Sequence, residues 1–425
     1  MKHIITSAGL LAVGLSGLQA ANDSFLTNIE KSKAWNVSAA LRGFYDSNPT
    51  YAPYTSAQTG TWGMSVIPNF TLNLPVTDQT YVGVGVQYTL NYYAEEVFSK
   101  HYDQSVQAIF KVNHKFSDRY RIRFSDTFAY SNQPQILSAG TPIATAADAI
   151  RNVAPITFNG ELTERIGFEL GYQNNIVNYF DSGAGSYRAL LNRMENMVHL
   201  DGRYNVTETL TGLVGYQFSA TDYNGNELLY TTGSPLTSDY RNFNSHYMYL
   251  GGEWNATRDL VLGLKAGAQY SNYENAGQTD WTPYVDLSGT YTYLPNSYVR
   301  LGFKSIVAST DVTGTGTRFT TALSQQLLLL YAQWTHQITA KLSGTLTGQF
   351  QNSTFEGANP TILTPNSPVD QTENLYSFNA FLSYAFNPHL STEAGYSYYG
   401  LVSDVTYTAR GFNRNYVYLG FRGTY

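Results

Sequence analysis

Residues 80–92 read Thr80-Tyr81-Val82-Gly83-Val84-Gly85-Val86-Gln87-Tyr88-Thr89-Leu90-Asn91-Tyr92. The even positions carry Val82, Val84, Val86, Tyr88, Leu90 and Tyr92, whereas the odd ones after Tyr81 are Gly83, Gly85, Gln87, Thr89 and Asn91. Strict alternation puts one set on each face of a β-strand, one face apolar and ending in aromatics, the other small or polar. The same pattern returns at 260–270, 342–350, 376–386 and 390–398. These runs are long. Strands of soluble domains centre on about 5–6 residues, and a strand crossing a bilayer needs about 9–11.

Working outward, the connections alternate in length. Short turns fall at 76–79, 117–119, 162–165, 206–209, 256–259, 294–296, 339–340 and 387–388, several with an apolar–Ser/Thr–acidic pattern. Hydroxyl and carboxylate side chains suit such turns because they accept hydrogen bonds from nearby backbone amides. Longer connectors lie near 46–61, 94–102, 131–150, 180–189, 223–240, 274–280, 310–318, 352–373 and 403–410. Alternating short turns and long loops predict a single transmembrane antiparallel up-and-down β-barrel over 35–425. About 18 strands follow, or 16 if one hairpin between 140 and 180 is misread, with both termini and the short turns periplasmic. Within 131–150, Thr145 to Ile150 has a hydroxyl N-cap and an acid at the third helical position, reading either as one helical turn or as a plain Ala-rich loop.

Composition agrees. Aromatics make up 15% of the 425 residues and charged residues only 13%, against about 25% in soluble chains, which fits a surface facing lipid and its interfaces. With no cysteine there is neither a disulfide nor a thiolate metal site, and a net charge of −6 points away from nucleic acid. Lys2 and His3 precede an apolar stretch ending at Leu18-Gln19-Ala20. This reads as a signal peptide over 1–20, followed by a periplasmic segment over 21–34. Export of a barrel implies a cell outer membrane, with its lipid and lipopolysaccharide, as the destination.

At the other end, Val417, Leu419, Phe421 and Tyr425 share one parity, with Gly420 and Arg422 on the other. Gly420, Phe421 and the terminal Tyr425 resemble the signal read by the outer-membrane barrel assembly machinery; Gly423, where a hydrophobe is usual, departs from it. The opening strand Leu41-Arg42-Gly43-Phe44-Tyr45-Asp46-Ser47-Asn48, with its aromatic–Asp–x–Asn cluster, resembles that of the β-barrel porin 2 family. The strand–turn units at Phe116-Ser117-Asp118-Arg119 and Leu162-Thr163-Glu164-Arg165 are similar too. The resemblance implies an outer-membrane channel, some members being associated with exopolysaccharide export.

If the apolar parity faces lipid, the other parity lines the lumen. Its basic residues, Arg121, Arg123, Lys265, Arg300, Lys304, Arg414 and Arg422 among them, outnumber its acids Glu169, Glu195, Asp201, Glu253, Asp286 and Glu393. These cations are either wall residues kept away from lipid or a field that favours anions and acidic sugars. In the third long connector, Thr145, Asp148 and Arg151 mark a segment that either folds inward as a constriction or stays external. The expected function is a porin-like channel for small hydrophilic solutes, with polysaccharide export as the alternative and no cofactor. An outer-membrane hydrolase would need a His beside a nucleophile; of the seven His, His199 sits near Asp201 and Arg203, and neither G-x-S-x-G nor H-E-x-x-H occurs. A secreted adhesin is the remaining rival. Oligomeric state is not legible.

Overall fold

The computed structural model describes residues 34–132, 136–138, 141–143, 147–223, 225, 227–230, 235–312, 321–357, 369–405 and 409–425. The signal-peptide reading and residues 21–33 lie outside them, as does Thr145. In chain order the strands are β1 (Trp35–Asp46), β2 (Thr61–Thr77), β3 (Thr80–Val97), β4 (Lys100–Lys115), β5 (Tyr120–Ser131), β6 (Ile136–Ser138), β7 (Thr141–Ile143), β8 (Ala149–Glu161), β9 (Ile166–Tyr179), β10 (Arg193–Asn205) and β11 (Leu210–Tyr223). Then come β12 (Leu228–Tyr230), β13 (Leu236–Thr237), β14 (Phe243–Asn255), β15 (Leu260–Tyr273), β16 (Gln278–Leu294) and β17 (Ser297–Ala308). The chain ends with β18 (Ala322–Gln337), β19 (Leu342–Gly357), β20 (Thr372–Asn387), β21 (Leu390–Ser403) and β22 (Phe412–Thr424). Eighteen of these form one sheet; β6–β7 and β12–β13 are small ribbons in the loops.

Each barrel strand pairs antiparallel with its sequence neighbour, and β22 returns to β1 with Leu41 opposite Phe421. The sheet is therefore closed, which satisfies every strand's backbone and removes the edge that lipid could not solvate. The terminal Tyr425 packs on Trp35 at 5.7 Å between ring centroids, beside this seam.

The expected parity is visible strand by strand. Outward aliphatics stay exposed around the circumference, for example Leu41, Val66, Leu250 (67%), Leu301, Leu330 and Leu419 (62%). Trp62 and Trp281 flank this belt toward the loops, and Trp35, Trp254 and Tyr425 toward the turns. Such a ring of exposed hydrophobes is untenable in water but matches a hydrocarbon layer with aromatic girdles. Inward, small residues admit large neighbours. A Cβ on Gly171 would come within 2.0 Å of the His199 ring, and one on Gly215 within 2.1 Å of Tyr249.

Four of the short turns use the same device. The hydroxyls of Thr163, Thr207, Thr257 and Thr339 each accept the backbone N–H groups two and three residues later, at 3.0–3.2 Å. Two expectations are corrected. The connector expected near 94–102 is a two-residue turn at Phe98-Ser99, both with positive φ (51° and 62°), the mirror-image turn that matches strand twist. Of the two readings of Thr145–Ile150, a helical turn or a plain loop, neither holds at its end, because Ala149 and Ile150 are already in β8, paired to Ser131 and Tyr130 of β5.

Candidate functional site: the lumen and its bridged mouth

Inside the barrel, charge is organised into separate networks. On β9 and β10, Arg203 donates to Glu169 at 3.1 Å and the His199 ring lies 3.3 Å from the other Glu169 oxygen. Next to it, buried Asp201 accepts from Lys265 at 2.9 Å and from the Tyr249 hydroxyl at 2.5 Å. Lys304 pairs with Asp286 at 3.2 Å. Between these two pairs a recess of about 90 Å³ opens on the wall, lined by Leu213, Glu253, Gly263, Lys265, Asp286 and Ser288 among others. Glu169, His199 and Asp201 place three ligand-type atoms within 4.8 Å of one another. Arg203 and Lys265 already neutralise the two carboxylates, which argues for an ion-pair network rather than a divalent cation.

Across the seam, Glu393 of β21 accepts from Arg42 at 2.6 Å and from Arg422 at 3.4 Å. Arg414, 5% exposed, is clamped by Asp46 through both carboxylate oxygens (2.5–3.0 Å) and by the Tyr51 hydroxyl. Of the seven arginines and lysines singled out from sequence, Lys265, Lys304, Arg414 and Arg422 thus belong to ion pairs with wall carboxylates. Arg121 and Arg123 lie elsewhere on the wall. With Lys111 and Lys115 they form a stripe on β4–β5, where Lys115 stands opposite Arg121 and Lys111 opposite Ser125. The other register partners of the stripe are Asn113, Thr157, Asn159 and Gly83, none of them acidic. Arg300 projects from β17 in an exposed position, over the Tyr298 ring at 5.8 Å.

The mouth on the loop side is crossed by protein. After β17 the chain turns inward: Ser309 donates to Glu195 of β10 at 3.3 Å, and Glu195 is paired with Arg193 at 2.6 Å. Two residues on, Asp311 is held by Arg410 at 2.8 Å, and Arg410 also reaches Glu373 at the head of β20 at 2.5 Å. β10 and β20 stand on nearly opposite sides of the ring, so this chain of contacts spans the opening. Fully buried Arg241 secures it from beneath, donating to the Thr310 carbonyl at 2.8 Å and to Leu190 of a short helix, Tyr187–Leu191, at 2.5 Å. Val312, Ala322, Phe355 and Val405 close a small apolar cluster behind it. Burial alone would lower the Arg410 pKa; Asp311 and Glu373 beside it raise it by more, so the net shift is upward and the charge is fixed.

The third connector does something else. Asp148 is tied at the rim, accepting from the Tyr130 hydroxyl at 3.1 Å and from the Phe180 amide at 3.0 Å. Arg151 sits in β8, part of the wall near Arg193 and Glu195. Sequence reasoning missed the bridge entirely. Asp46 and Glu373 fall on the lumen parity of β1 and β20 and were readable as lumen acids. No local signal marks Ser309, Asp311 or Arg410.

The class these features define is a closed membrane-type barrel of eighteen strands, a strand number whose interior side chains do not fill. No protein-family model matches the chain, and no curated protein matches its sequence. The likeness of the opening strand to the β-barrel porin 2 family thus has no family match behind it. Among solved structures the chain is similar to the siderophore receptor PirA from Acinetobacter baumannii (10% identity, 93% of this chain and 81% of that one, TM-score 0.45). It is also similar to the outer membrane protein OpdK from Pseudomonas aeruginosa (10%, 92% and 99%, 0.44) and to OccAB4 from Acinetobacter baumannii (12%, 94% and 100%, 0.43). At this level of similarity nothing about solute or mechanism carries over.

Proposed function

We propose that this protein is a channel of the Gram-negative outer membrane that passes small hydrophilic solutes and favours anions. The observation that carries the reading is the opposition of the two faces: a predominantly apolar belt outside and a wall of charged and amide side chains inside one closed sheet. Lipid solvates the first and water the second. The β4–β5 stripe is the basis for the anion preference: it gathers Lys111, Lys115, Arg121 and Arg123 on two adjoining strands, the kind of basic cluster that selects anions. The bridge across the outer mouth sets the size of what enters. Outward-facing Phe421 and Tyr425, next to Gly420, suit delivery to the barrel assembly machinery, and the loop end suits contact with lipopolysaccharide. Polysaccharide export rests on the family resemblance alone, with no contact among the described residues to favour it.

Single-channel recording of the refolded chain in a planar bilayer tests the proposal. The expected result is a small, stable conductance whose reversal potential in a KCl gradient has the sign of an anion-preferring pore. A cation-preferring pore overturns the selectivity. A barrel that never conducts overturns the channel.

A further inference from the structure

On the outward face, polar side chains in mid-strand are rare and usually bond their own sheet. The Thr392 hydroxyl donates to the Gly420 carbonyl at 2.9 Å, and Ser305 donates to the Pro283 carbonyl at 3.1 Å. Uncharged outward pairs also occur, Asn352 with Asn374 and Tyr396 with Asn415, but one sector adds a carboxylate. Asp126 lies halfway along β5 on the outward parity, between the equally outward Phe124 and Phe128. Asn152 of β8 donates to it at 2.5 Å, its one hydrogen-bond partner among the described residues. Two strands on, Asn174 of β9 and the Tyr172 hydroxyl both donate to Asn196 of β10, at 2.9 and 2.8 Å. Between the two pairs stands Ala154, opposite Asn174 in the ladder.

This island is enclosed by hydrophobes on both sides along the strands. Ile150, Ile176 and Met194 lie toward the loops, and Ile156, Leu170 and Val198 toward the turns. It therefore sits within the belt that lipid chains would cover. A carboxylate offers about four acceptor sites, and hydrocarbon supplies no donor for those that Asn152 leaves open.

We propose that this island is the contact surface for a second copy of the same chain, forming a two-fold dimer in the membrane. A partner must present hydrogen-bond donors at the same depth in the bilayer, and a second copy does so by construction. The island is also self-complementary. Its β5–β8 side carries the carboxylate and its β9–β10 side carries the amides, so a two-fold axis near Ala154 brings each carboxylate side against the other copy's amide side. The methyl of Ala154 leaves room for the close approach that hydrogen bonding across a lipid-facing contact requires.

The proposal depends on the chain spanning the membrane, and heat-modifiable gel migration of the refolded chain checks that separately. Because the chain has no cysteine, Ala154→Cys introduces a single thiol near the expected axis, with Leu419→Cys on β22 as the control. Both variants are refolded into phosphatidylcholine vesicles and oxidised. Ala154→Cys should give about tenfold more disulfide-linked dimer than Leu419→Cys, and adding Asp126→Leu should cut it by about tenfold. The unaltered chain should run as two copies by light scattering in mild detergent. Equal cross-linking at the two positions, cross-linking indifferent to Asp126→Leu, or a monomer in detergent each overturns the dimer.

Discussion

Two arginine-bearing regions of the lumen, alike in sequence, are opposites in structure. In the outer half, Arg410 and Arg414 are enclosed by Asp311, Glu373 and Asp46 at 2.5–3.0 Å. In the inner half, Arg121 and Arg123 share a stripe with Lys111 and Lys115 whose register partners are neutral or themselves basic. The first pair of arginines spends its charge on holding loops and the seam together. The second gathers four basic side chains on two adjoining strands. A count of basic residues treats the two alike, and only the positions of the acids separate them.

The largest effect that could break this comparison comes from Arg410→Ala. Removing one partner of a buried ion pair strands the others, typically at about 3–5 kcal/mol. Asp311 and Glu373 would then face each other without their cation, and the segment from Ser309 to Val312 should leave the mouth. The expected outcome is a several-fold rise in single-channel conductance together with a lower thermal midpoint for the loss of heat-modifiable migration. Unchanged conductance would mean that the bridge does not limit flow.

The next contrast sets Arg121→Gln with Arg123→Gln against Arg414→Gln. The double change in the stripe should move the reversal potential in a KCl gradient toward cation preference and cost less stability than Arg414→Gln. The latter should destabilise the barrel because it exposes Asp46 to an unpaired burial, yet leave selectivity nearly untouched. An equal shift in reversal potential from both would erase the distinction between the two regions.

What was legible in the sequence was whatever is local. Period-2 alternation at Thr80–Tyr92 and the Thr-centred turns at 163, 207, 257 and 339 act over two to four residues, so strand count and facing follow from them. The turn at Phe98-Ser99 escaped notice because neither residue is one that favours positive φ, and no Gly or Asn announces it. The mouth escaped for a different reason. Arg410 meets Asp311 and Glu373 across 99 and 37 residues of chain, and no spacing rule connects positions that only barrel closure brings together. Parity could place Lys265 and Arg414 on the lumen face but could not say that Asp201 and Asp46 were waiting beside them.

Ionic strength offers a gentler test of the same contrast. The Debye length is about 10 Å at 0.1 M salt and about 3 Å at 1 M. A field set by the stripe in an aqueous lumen should fade over that range, so anion preference should fall as salt rises. Contacts at the enclosed mouth exclude water and should respond little, so the fractional gain from Arg410→Ala should persist at 1 M. If selectivity and the Arg410 effect weakened in parallel, the two regions would share one electrostatic origin.

The smallest effect lies outside the membrane, near the loop end of β19. Glu356 is pushed up to about 7 by burial and by the neighbouring charges of Asp280 and Asp370. The folded state therefore holds a proton there that an unfolded carboxyl releases near its ordinary value of about 4.3. Stability from this group is greatest below that value, declines as pH rises toward 7, and is flat above it. Half-exposure of the site limits the amplitude. Thermal midpoints of the detergent-solubilised barrel should fall slightly between pH 5 and 8, and Glu356→Gln should flatten that slope while leaving conductance alone. A slope that survives the substitution would place the titration on another group, and a change in conductance would tie this carboxyl to the bridged mouth rather than to the loop end of the wall.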